Sequence, residues 1–130
     1  MQPPIDYVAT ITIGFDDINQ TDTISVSPDP IQTEPDKHIV FVVRNNGLNK
    51  HKVSIDRDKM EKTKGPEDAP KTPIRFSLHH SDDVEPGDVG AFVLHVKDKD
   101  DFKKGNSYLY KYTIEASGLP PMDPDIGINN

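Results

Sequence analysis

Five histidines and three methionines carry the lone pairs best suited to a soft or borderline metal, because the chain contains no cysteine. That absence removes disulfides, thiolate nucleophiles, zinc-finger sites and iron–sulfur ligation together. His79 and His80 are adjacent, and a strand running through them sends their rings to opposite faces, so one ion cannot easily take both. With Asp82 and Asp83 following, one ring could join carboxylates around a divalent ion, against the plainer reading of a solvated loop start. Asp98, Asp100 and Asp101 resemble a fragment of a calcium loop, but lysines interrupt them and no bidentate glutamate follows, so a charged hairpin loop is expected. His38 and His95 read as surface or sheet histidines. No Gly-x-Ser-x-Gly elbow, phosphate loop or His-Glu-x-x-His motif is present, so the sequence offers no positive sign of an enzyme.

The elements that must position these residues are strands. Tyr7, Ala9, Ile11, Ile13 and Phe15 alternate with polar or smaller residues, as a half-buried strand requires. Thr23 to Ser27 alternates again, and Pro28 and Pro30 then predict an edge strand that breaks and resumes near Ile31. His38 to Arg44 is apolar at consecutive positions and rich in β-branched residues, which predicts a central strand buried on both faces. After the Asn45-Asn46-Gly47 turn, His51, Val53 and Ile55 share one face of a short strand. Asp56 to Lys71 is charged and broken by Gly65-Pro66 and Pro70; it reads as a long surface loop with one helical turn near Asp58 to Lys62, and as a candidate partner surface. Strands are also expected over Ile74–Leu78, over Ala91–Val96 with Phe92, Leu94 and Val96 on one face, and over a stretch with Tyr108, Tyr110, Tyr112 and Ile114 on one side. The tail closes with a short strand at Ile126–Ile128. Seven to eight short strands with almost no helix predict an all-β, Greek-key β-sandwich, one domain spanning residues 1–130.

Two stretches resemble the cupredoxins, the small copper-protein family that includes plastocyanin and pseudoazurin. Asn45-Asn46-Gly47-Leu48-Asn49-Lys50-His51-Lys52-Val53 is similar to the asparagine-rich turn that leads to the family's first histidine ligand. Tyr110 to Ile128 is similar to its terminal loop, which runs Tyr-x-Tyr/Phe-x-Cys-x-x-His, then Met, then a closing strand. The resemblance extends from about Ile24 onward and implies a cupredoxin-like sandwich. It also puts Ile114 in the cysteine position, Ser117 in that of the second histidine, and Met122 where an axial methionine would sit. A blue-copper site needs two imidazoles and a thiolate around the metal. Ile114 cannot bind a metal, so the resemblance implies the fold without the blue centre.

The resemblance leaves His51 and Met122 as a candidate N/S pair for a non-blue copper site. In the competing reading, His51 is hydrogen-bonded to the Asn45–Asn49 turn and Met122 fills an apolar gap beside Ile114. No resident cofactor is expected other than that copper. The leading expectation for function is a non-catalytic binding or structural module acting on an unknown protein or small ligand. The alternatives are a copper carrier using His51 and Met122, and an electron-transfer cupredoxin altered at its ligands. A formal net charge of −7 disfavours nucleic acid, and no apolar run is long enough for a spanning helix, so neither nucleic-acid binding nor membrane insertion is expected. A periplasmic or extracellular location follows from the resemblance alone.

Overall fold

The computed structural model describes residues 6–75 and 81–130. Among them are eleven strands: β1 (Tyr7–Asp16), β2 (Thr21–Ser27), β3 (Ile31–Thr33), β4 (His38–Asn45), β5 (His51–Ile55), β6 (Glu61–Lys64), β7 (Ser81–Val84), β8 (Val89–His95), β9 (Ser107–Lys111), β10 (Ile114–Ala116) and β11 (Asp125–Asn129). One layer of the sandwich is the sheet β2-β1-β4-β8; the other is made of β3-β11-β9-β6 and β10-β5-β7. The strands outnumber the seven to eight read from sequence because long runs divide. The prolines after Ser27 lack the N–H groups a ladder needs. The chain leaves the first sheet there and returns as β3, parallel to β11.

Alternation decides which side chains enter the core. Ala9, Ile11 and Ile13 of β1 are buried, with β2 antiparallel on one side and β4 parallel on the other. The turn out of β1 is fixed locally, since one carboxylate oxygen of Asp16 accepts the N–H groups of Ile18 and Asn19. Phe41 stacks on Phe92 with ring centroids 5.4 Å apart, and Tyr112 meets Phe41 edge-on at 6.0 Å. The tyrosine row of β9 points inward. Tyr110 donates its hydroxyl to the Pro70 carbonyl at 2.7 Å, and the Tyr108 hydroxyl accepts the Lys103 N–H at 2.6 Å. Burial pushes the Tyr110 hydroxyl up to about 12. Tyr112 is raised too, also chiefly by burial, and its hydroxyl is buried without a hydrogen-bond partner.

Three features depart from the pattern-based reading. The Asp56–Lys71 segment is not all loop: its turn is a short 3-10 helix at Arg57–Lys59, and β6 follows and pairs with β9. Its Lys62 ammonium donates to the carbonyls of Gly65 and Pro66. β4 lies inside its sheet, but only one of its faces, Ile39, Phe41, Val43 and Asn45, is fully buried; Val40 and Val42 on the opposite face are partly exposed. Ile74 forms a bridge with Val96 and the Arg75 N–H donates to the His95 carbonyl, whereas Phe76 to Leu78 of the expected strand and the His79–His80 pair lie outside the described residues. No described helix is long and apolar enough to cross a membrane.

Candidate functional site

At one pole of the sandwich the start of β2, the turn after β4, the start of β5 and the segment after β10 meet. The turn is built by its asparagines. Asn45 is completely buried: its amide donates to the carbonyls of Asn49 (2.8 Å) and Val84 (2.9 Å), and its side-chain oxygen accepts the Gly47 N–H at 2.9 Å. These bonds aim the next two backbone N–H groups at Asp22. Its carboxylate accepts from Leu48 N (2.9 Å), Asn49 N (3.1 Å) and the Asn49 amide (3.3 Å). Gly47 is required here by contact, because a Cβ built on it would fall 2.6 Å from the Asp22 carboxyl carbon.

His51 completes the cluster from the first position of β5. Its ring is buried and donates from Nε2 to the Asp22 carboxylate and from Nδ1 to the Ser117 backbone carbonyl, both at 2.7 Å. A carbonyl oxygen can only accept, and so can an ionised carboxylate. While both bonds are made, the ring therefore carries two protons and a positive charge. Burial alone would raise the Asp22 carboxyl, but the N–H groups of Leu48 and Asn49 and the His51 ring outweigh it and lower it to about 2. The result is a buried imidazolium–carboxylate pair that joins β2, β5, the asparagine turn and Ser117. Desolvating two charges is costly, and it is offset here because every donor and acceptor around the pair is matched.

Of the positions singled out in the sequence, His51 and Ser117 meet at this pole, whereas Ile114 pairs with Ile55 at the other end of β5 and forms its bridge with Met122 there. Ser117 touches His51 through its carbonyl, while its hydroxyl accepts the Lys52 N–H at 2.9 Å and its own N–H donates to the Lys52 carbonyl. Ile114 is fully buried and exchanges backbone hydrogen bonds with Met122 at 2.8 and 3.1 Å. Met122 itself is half-buried against the core. Asp22 is the member of this cluster that the sequence reading missed. Extending the Thr23–Ser27 alternation back by one residue places Asp22 with Ile24 and Val26 on the inward face, and a lone carboxylate on such a face was the available signal. Beside the pair, Gln20, Asn49, Lys50, Gly118 and Leu119 border a cleft of about 420 Å³. A second cleft of about 480 Å³ lies between Lys52, Glu115 and Pro121, so the segment from Ser117 forms a ridge between the two.

No family model and no curated protein sequence matches the chain. Solved structures do. McoA multicopper oxidase from Aquifex aeolicus aligns over 98% of this chain with 12% identity and a TM-score of 0.55, and the chain covers 31% of that protein. The CsuC–CsuE chaperone–adhesion subunit complex of Acinetobacter baumannii aligns over 79% of this chain at 13% identity and TM-score 0.54, with 54% of the matched chain covered. Auracyanin B aligns over 100% of this chain and 94% of its own, at 11% identity and TM-score 0.51. That near end-to-end match decides between sandwich types. The fold is cupredoxin-like. In this cupredoxin-like chain the donor set does not suit a blue-copper centre: there is no thiolate, Ile114 offers no ligand atom, and both nitrogens of His51 already carry hydrogen bonds. Among the described residues no group of three or more His, Asp and Glu side chains is arranged to hold a metal ion.

Proposed function

We propose that the chain is a non-catalytic binding module on a cupredoxin-like scaffold, working in the periplasm or outside the cell, with the pole around His51 as its ligand-binding end. The observation that carries this reading is the double hydrogen bond of His51. A ring that donates from both nitrogens has no lone pair left for a metal, and it stiffens the loops instead. The adjoining cleft, about 420 Å³, falls in the size range of small-ligand sites, and its border mixes the Lys50 cation with amides and the apolar Leu119. A loop surface held on a rigid sandwich is a common way to present such a site.

The rival reading, a copper carrier using His51 and Met122, requires the ring to surrender Asp22 or Ser117. Calorimetric titration with Cu(II), and with Cu(I) under reductant, separates the two. The binding-module reading expects no tight copper binding in the native chain. Tight one-to-one binding lost in His51→Ala would overturn it in favour of the carrier.

A further inference from the structure

The outward face of the sheet β2-β1-β4-β8 carries a second surface, which runs from Arg44, next to the Asn45 turn, to the opposite end of β4. The pairing registers set Val8 beside Val40 and Val40 beside Val93, with Val42 and Ala91 in the next row and Arg44 beside Val89 in the one after. Val8 and Val89 are 54% and 61% exposed, Ala91 is exposed, and Val40, Val42 and Val93 are partly so. A solvated sheet face is ordinarily polar, so this contiguous run of valines marks a contact surface.

Charged side chains stand at both ends of the patch, Arg44 at one and Asp6 at the other. Arg44 closes one end, is exposed, and makes no ion pair among the described residues. At the other end His38 and His95 stack with centroids 4.0 Å apart; Asp6 lies 3.7 Å from His38 and Asp36 lies 3.1 Å from His95. Arg75 pairs with Asp98 and stands 4.0 Å from Asp36, whereas among the described residues Asp6 makes an ion-pair contact with His38 alone. Along β4 the outward residues run His38, Val40, Val42, Arg44, a span of roughly 20 Å at strand rise.

We infer that a second copy of this chain covers the valine face, the two sheets packing face to face about a twofold axis near the middle of β4. That axis sets valine on valine and brings the Arg44 of each copy over the Asp6–His38 end of the other. A patch is self-complementary in this way only if its apolar centre and its opposite charges are related by the same axis, as they are here. Strand rise and spacing give a face of about 400 Å² per copy, about 800 Å² in all, below the range of stable specific interfaces, so the dimer is weak and concentration-dependent.

Sedimentation equilibrium on the full chain, from micromolar to millimolar concentration, tests the inference. The native protein is expected to pass from monomer to dimer, and Val42→Lys to stay monomeric with an unchanged far-ultraviolet spectrum. Arg44→Asp is expected to weaken the dimer by about tenfold or more. Combining it with Asp6→Lys should recover most of that loss, which a general effect on folding would not do. A native chain that stays monomeric to millimolar concentration would overturn the inference and leave the face to a different protein. So would a dimer indifferent to both Val42→Lys and the charge exchange.

Discussion

Replacing Asp22 with alanine tests the reasoning about the buried pair most directly. The substitution removes one carboxylate that accepts from Leu48 N, Asn49 N, the Asn49 amide and His51 Nε2. It leaves a buried ring facing no anion and two backbone N–H groups without their acceptor. Breaking a buried ion pair at one end costs about 3–5 kcal/mol. Against a total stability of about 5–15 kcal/mol, and with a urea dependence of about 2 kcal/mol per molar, the midpoint should fall by about 2 M. Urea unfolding followed by far-ultraviolet circular dichroism suits a chain with no tryptophan. His51→Phe and the double variant complete a cycle, whose coupling energy should reach about 2 kcal/mol, toward the upper part of the range for contacting residues. pH gives an independent reading. The folded Asp22 carboxyl sits near 2 and its ordinary value is 3.8, so its contribution is fully present above about pH 4 and is lost as pH falls through 2. The native chain should lose stability across that window more steeply than Asp22→Ala does. A loss below about 1 kcal/mol for Asp22→Ala, or a coupling energy near zero, would refute the pair as the fastening of this pole.

Three further outcomes follow from the same geometry. Gly47→Ala should lower stability by about 1–3 kcal/mol in thermal melts, because the added methyl meets the Asp22 carboxylate. Tyr112→Phe should be neutral or slightly stabilising, since the hydroxyl it removes is buried without a partner, whereas Tyr110→Phe should cost about 1 kcal/mol for its bond to Pro70. In a spectrophotometric alkaline titration, Tyr110 and Tyr112 should ionise later than the ordinary value of 10.

Much of this architecture can be read from apolar spacing, and the exceptions have physical causes. β1, the buried face of β5 and the shared face of the β9 tyrosines follow from strict alternation, as does the break after Ser27 from its prolines; that the tyrosines face inward does not follow from alternation alone. β6 escapes because Glu61-Lys62-Thr63-Lys64 has no apolar face; its pairing with β9 rests on backbone bonds and leaves most of its side chains in solvent. β4 misleads in the opposite direction. Its consecutive valines record that both faces prefer to be covered, whereas one chain supplies a cover for only one of them. At the pole the turn and His51 were legible as a motif, but their chemistry depends on Asp22, brought from 29 residues away by the β1–β2 hairpin.

The hydrogen bond from Gly47 N–H to the Asn45 side chain also governs how the chain ages. An asparagine followed by glycine loses ammonia when the glycine nitrogen attacks the asparagine side-chain carbonyl and closes a succinimide ring, which water then opens to aspartate or isoaspartate. In the folded protein the Gly47 nitrogen is held as a donor at 2.9 Å, and the Asn46 N–H is tied to the Ile13 carbonyl at 2.8 Å. The attack must therefore wait for a local opening of the pole. Isoaspartate formed at position 46 would thus act as a slow chemical clock, its rate counting how often this end of the molecule comes undone.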